Sequence, residues 1–118
     1  MSGIVKFIPA DSGQPIVEEP GPITLAGNNE AVEVDREYWF ERARQYVGGW
    51  VELVWVLHND RRTLMLVNEE GHILKPPLPL NARATFIYHA NGKSQGRDMR
   101  GAPLICGNVV LFENIPAD

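Results

Sequence analysis

The 118-residue chain contains a single cysteine, Cys106, which excludes an intrachain disulfide and a cysteine-based zinc cluster. It has no excess of positive charge: fifteen Asp and Glu against eleven Lys and Arg give a formal net charge of −4. A generalised nucleic-acid binder needs a basic face to meet the phosphate backbone, so none is expected here. No apolar run approaches the roughly 18 residues of a membrane span. The first twenty residues carry Asp11, Glu18, Glu19 and three prolines and lack the apolar core of a signal peptide. The expectation is one compact cytoplasmic domain with no membrane contact.

Catalytic signatures are equally scarce. His58, His72 and His89 have no metal-ligand spacing and read as surface or satisfied histidines. There is no Gly-x-Ser-x-Gly elbow. Gly92-Lys93-Ser94 resembles the tail of a phosphate-binding loop, but Ile87 stands where that loop needs its first glycine. Cys106 falls in an apolar stretch, where a small buried thiol is the ordinary reading. No catalytic, metal-binding or cofactor-binding residue is assigned, and no cofactor is expected.

Residues 1–34 form an acidic arm rich in Pro and Gly, and residues 35–118 the core of the domain. Within the arm, Gly3–Ile8 reads as a strand and 22–25 as a weaker one, with Glu18-Glu19 a solvated loop. Asp35 is the expected N-cap of a helix reaching Val47. Its apolar face carries Trp39, Ala43, Tyr46 and Val47, and Gly48-Gly49 ends it. Trp50–Leu57 is the strongest strand pattern. Both of its faces are mostly apolar, which predicts a central strand or one covered by another subunit. Thr63–Val67 returns as its hairpin partner. The turn Asn68-Glu69-Glu70-Gly71 is expected to use Gly71 at positive φ, and residues 72–74 to extend the sheet. Lys75–Pro79 reads as a polyproline II connector, with ligation of a proline-reading domain as the other possibility. Asn81 caps a helix from Ala82 to about Ala90, residues 91–101 form a mobile loop, and Leu104–Phe112 is the last strand, with Gly107 a bulge or a close backbone approach. The sum is an α+β domain with a mostly antiparallel sheet of four to five strands and two helices, in the order β-β-α-β-β-α-β.

Glu52 is the acid that needs an explanation. A carboxylate in an apolar strand requires a partner or an exposed position. Arg83, Asn81 and Asn108 are its candidate partners, and a ligand-binding or catalytic carboxylate is the other reading. Glu69 and Glu70 are adjacent on a turn, where their side chains diverge.

The segments Tyr46-Val47-Gly48-Gly49-Trp50-Val51-Glu52-Leu53-Val54, Leu66-Val67-Asn68-Glu69-Glu70-Gly71-His72-Ile73-Leu74, Pro79-Leu80-Asn81-Ala82-Arg83-Ala84-Thr85 and Ile105-Cys106-Gly107-Asn108-Val109-Val110 occur in this order. Together, across roughly Asp35–Leu111, they resemble the family called domain of unknown function 3846. The resemblance implies a bacteriophage or bacterial setting and supplies no catalytic residues to transfer. Three features depart from the pattern: a long N-terminal arm, Pro76-Pro77, and an extended basic loop at 91–103. Each family segment also has a reading as a fold determinant: a glycine turn, a hairpin turn, a helix cap.

Two functional expectations follow. The first is an accessory protein that binds a host protein, with Trp50 and Trp55 as interface anchors, and that forms a homo-oligomer. The second is a nucleotide-binding or sequestering protein, in which Arg83, Lys93, Arg97 or Arg100 holds phosphate and Trp50 or Tyr88 stacks on a base. A small enzyme using Glu52 or Glu70 as a base ranks below both. The candidate binding residues are therefore Trp50, Glu52, Trp55, Asn81, Arg83, Lys93, Arg97 and Arg100.

Overall fold

The computed structural model describes residues 3–21, 29–58 and 61–113, with backbone alone at 29–37, 57–58 and 61–62. The elements are β1 (Gly3–Ile8), β2 (Val17–Gly21), α1 (Asn29–Val47), β3 (Val51–His58), β4 (Arg61–Asn68), α2 (Ala82–Ser94) and β5 (Val109–Glu113). The five strands form one antiparallel sheet in the order β2-β1-β5-β4-β3. This is the expected α+β class and element order. No described helix is long and apolar enough to cross a membrane.

Alternation along the strands sends side chains to two faces, and one helix covers each. Val5, Phe7, Leu64, Leu66, Val110 and Phe112 pack under Trp39, Ala43 and Val47 of α1. Ile8, Met65, Val67, Val109 and Leu111 pack with Ala84 of α2 and with Ile105. The registers align the α1-side residues into two cross-sheet rows. One runs Phe7–Val110–Leu66–Leu53, the other Val5–Phe112–Leu64–Trp55. The first three residues of each row are buried; Leu53 and Trp55 run out to the sheet margin.

Several boundaries correct the sequence reading. β3 is an edge strand, not a central one, because β4, buried from Thr63 to Asn68, takes the interior place. α1 begins six residues before Asp35, which lies inside the helix and does not cap it. Glu18 and Glu19 belong to β2, while the weaker strand expected at 22–25 lies outside the described residues. The Glu69–Gly71 turn does not use a left-handed glycine: Gly71 is absent from the positive-φ glycines, and a Cβ there would stand 2.6 Å from the Cys106 carbonyl oxygen. Close approach, not φ, is what requires glycine.

Residues 72–74 continue that turn, through bonds from the Ile73 and Leu74 N–H groups to the Glu70 carbonyl. The connector to α2 bends over residues 74–76 and is not a uniform polyproline II run. α2 runs on to Ser94 because Gly92 leaves space for buried Met99, whose sulfur occupies the place of a Cβ. The following segment folds back there, with the Arg97 N–H on the Gly92 carbonyl. β5 begins at Val109; Gly107, at φ +92°, interrupts the extended run expected from Leu104 and leaves Cys106, half-buried, as an isolated bridge to Leu80.

Candidate functional site

The four family segments meet at one end of the sheet, where β1 and β4 end and β3 and β5 begin. Asn81 is fully buried there. Its Oδ1 accepts the Ala84 N–H at 3.0 Å, capping α2, and its Nδ2 donates to the carbonyls of Ile8 and Gly107, each at 3.0 Å. Asn108 ties the same end to α1: its Nδ2 donates to the Tyr46 carbonyl and its Oδ1 accepts the Ala10 N–H. Gly49 lies against the Asn68 side chain, and Asn68 Oδ1 accepts the Glu70 N–H. Backbone bonds from Gly107 N–H to Pro79, Asn81 N–H to Ile105 and Leu78 N–H to Gly71 lock the loops together. Buried polar groups must be satisfied within the fold, and these amides do that for backbone groups of β1, α1, α2 and the turns beside them. The arrangement is a clasp that closes this end of the sheet.

Arg83, at the first turn of α2, serves the clasp as well. Its guanidinium donates to the carbonyls of Pro9, Asp11 and Gln14, pinning the β1–β2 loop. Glu52 is exposed on the edge strand; Arg83, Asn81 and Asn108, its expected partners, are each bonded elsewhere. Lys93 is exposed in the last turn of α2. Arg97 bonds Gln95, and Arg100 chelates Asp98, whose carboxyl it holds below the usual aspartate range. The structure thus gives Arg83, Arg97 and Arg100 three separate local partners and does not converge them on one anion site. Among the described residues, no group of three or more His, Cys, Asp and Glu could hold a metal ion.

A second constellation was not anticipated. Arg42 of α1 stacks against the rings of Phe7, Trp39 and Tyr38, at 4.9, 5.0 and 5.7 Å from their centroids. Its two terminal nitrogens bind both oxygens of Glu19 at 2.8 Å. The guanidinium holds the Glu19 carboxyl below the usual range, and the carboxylate raises the arginine in turn. The spacing of Tyr38, Trp39 and Arg42 (i, i+1, i+4) was the available signal, since side chains three and four apart share a helix face. Phe7, Val17, Glu19, Arg42, Gln45 and Tyr46 line a shallow cleft of about 430 Å³ beside this pair. Burial pushes the Tyr46 phenol up, against a smaller opposing pull from the Arg83 charge.

The third feature is apolar. Trp50 stands just before β3, at the margin of the clasp, and is 75% exposed. With Arg44, Gly49 and Val51 it lines an open cleft of about 300 Å³. Leu53 and Trp55 follow along the edge, 54% and 40% exposed.

The fold and these sites define a two-faced α+β domain. Its polar network is structural, and Trp50 and Leu53 expose apolar surface along one margin. The chain belongs to the family described as Domain of unknown function (DUF3846), whose model matches residues 6–117. The match reaches past the four segments to include the second half of β1 and all of β2. No curated protein and no solved structure matches the chain.

Proposed function

We propose that the protein acts by binding a macromolecular partner, not by catalysis, with Trp50 as the anchor of the contact. The supporting observation is the contrast at one end of the sheet. Asn81, Arg83 and Asn108 are committed to backbone groups, whereas the neighbouring Trp50 projects beside an open cleft with Arg44. Tryptophan and arginine are the residue types that most often carry binding energy when a partner desolvates them. In this reading the setting is the phage or bacterial one that the family resemblance implies, and the protein is an accessory factor that works in the host cytoplasm on a host protein.

The test is a photo-crosslinking amino acid placed at Trp50, with a second placed at Phe86, which is equally exposed but on α2. A discrete adduct with one host protein from position 50, competed away by unmodified protein, is the expected result. Equal labelling from both positions would remove Trp50 as the anchor.

A further inference from the structure

β2 is attached to the domain differently from the other strands. Val17, Glu18 and Pro20 are exposed, Glu19 and Gly21 are half-buried, and none of the five belongs to either core. The strand therefore gains little from apolar burial, which sets much of the local stability of an element. Pro20 also takes one N–H donor out of a strand of five residues.

Charge supplies the hold instead. Glu19 makes its two-pronged bond to Arg42 of α1, at 2.8 Å on each oxygen. Glu18, which alternation sends to the other face, pairs with Lys6 of β1 at 3.6 Å. Tyr38 of α1 stands beside the first pair and Glu113 of β5 beside the second. Both cations keep company without β2. Lys6 retains Glu113 at 3.0 Å, and Arg42 retains its stack on Phe7, Trp39 and Tyr38. Separation strands no buried charge, which is what makes breaking a buried ion pair costly. The chain ahead of β2 has a firm anchor. Arg83 holds the Pro9, Asp11 and Gln14 carbonyls, and a backbone bond of 3.0 Å closes the Asp11–Gln14 turn. Pro15 and Ile16, both exposed, lead from that anchor into the strand.

We propose that β2 is a detachable strap, which leaves the β1 edge as one unit, pivoting after Gln14, while the other four strands stay paired, and which loss of its glutamate charge releases. Its departure takes Val17 and Glu19 out of the wall of the Arg42 cleft and uncovers the edge of β1. Phe7 stays packed against Tyr46, with ring centroids 5.2 Å apart. The strap lies at the margin opposite β3, so the proposal goes beyond the Trp50 contact and neither depends on the other.

Residue-resolved hydrogen exchange on the full chain tests it, with β5 as the internal reference because that strand is interior and buried throughout. After correction for intrinsic rates, the protected amides of β2 should exchange about tenfold or more faster than those of β5. Glu18→Gln with Glu19→Gln should speed β2 by roughly a further fivefold and leave β5 within about twofold of the parent. Gly21→Ala perturbs the strap by shape and not by charge, since its Cβ would overlap Val5 Cγ2. It should speed exchange at Val17, the far end of the strand, by the same factor as at Gly21, as one unit requires and a frayed end does not. Exchange of β2 in step with β5, in the parent or in either variant, would overturn the proposal. So would a doubly substituted protein whose β2 exchanges at the parental rate, or a Gly21→Ala effect confined to its own end.

Discussion

Asn81 shows how much one side chain can hold. It places an acceptor on the first turn of α2 and two donors on carbonyls that belong to β1 and to the turn before β5. Removing it strands three backbone groups in a site without water access. Asn81→Ala is expected to cost about 2–4 kcal/mol in urea unfolding. Asn81→Asp keeps the cap acceptor but turns a carboxylate toward two carbonyl oxygens, so this near-isosteric change should also destabilise. Gly107 is constrained twice, by φ +92° and by Leu78, whose Cδ1 lies 2.8 Å from where a Cβ would stand. Gly107→Ala should cost about 1–3 kcal/mol by the same measurement.

At the scale of elements, the Arg42–Glu19 pair is a direct side-chain link between α1 and β2. Both partners are about one-third exposed, so solvent screening limits the gain. Glu19→Gln should cost about 1 kcal/mol. Arg42→Lys should not rescue the link, because lysine has neither the two-pronged fork nor the planar stack. The Glu19 carboxyl titrates lower folded than unfolded. Its contribution is therefore complete above the ordinary glutamate value of 4.5 and is lost as pH falls through the folded value. A pH series of unfolding curves should show an acid-side loss in the parent that Glu19→Gln lacks.

Element type and order were legible in the sequence because periodicity, the Asn81 cap and the Gly48 stop are local signals. β1 is a case where even the boundaries agree. The position of β3 was not legible. A strand apolar on both faces reads as interior, and only the cross-strand register reveals that half of that surface reaches the margin. The Arg42 stack was missed for a related reason: its partners Phe7 and Glu19 come from the arm, distant in sequence. Glu52 was legible as a carboxylate needing either a partner or exposure, but which of the two holds depends on which strand sits at the edge.

The whole molecule has two populations of residue. The family segments close one end of the sheet around buried amides and tight glycines, while Trp50 and Leu53 expose apolar surface at its margin. This division has a thermodynamic signature. Substitution in the clasp should lower stability, whereas Trp50→Ala should change it by no more than about 0.5 kcal/mol. The most direct test pairs urea unfolding with crosslinking to host protein, for Trp50→Ala and Arg83→Ala carrying the same photo-reactive residue at Arg44. The account predicts that Trp50→Ala keeps parental stability and loses the adduct, and that Arg83→Ala is destabilised but, while folded, still yields it. An Arg83→Ala protein of full stability that no longer captures the partner, beside a Trp50→Ala protein that does, would contradict it.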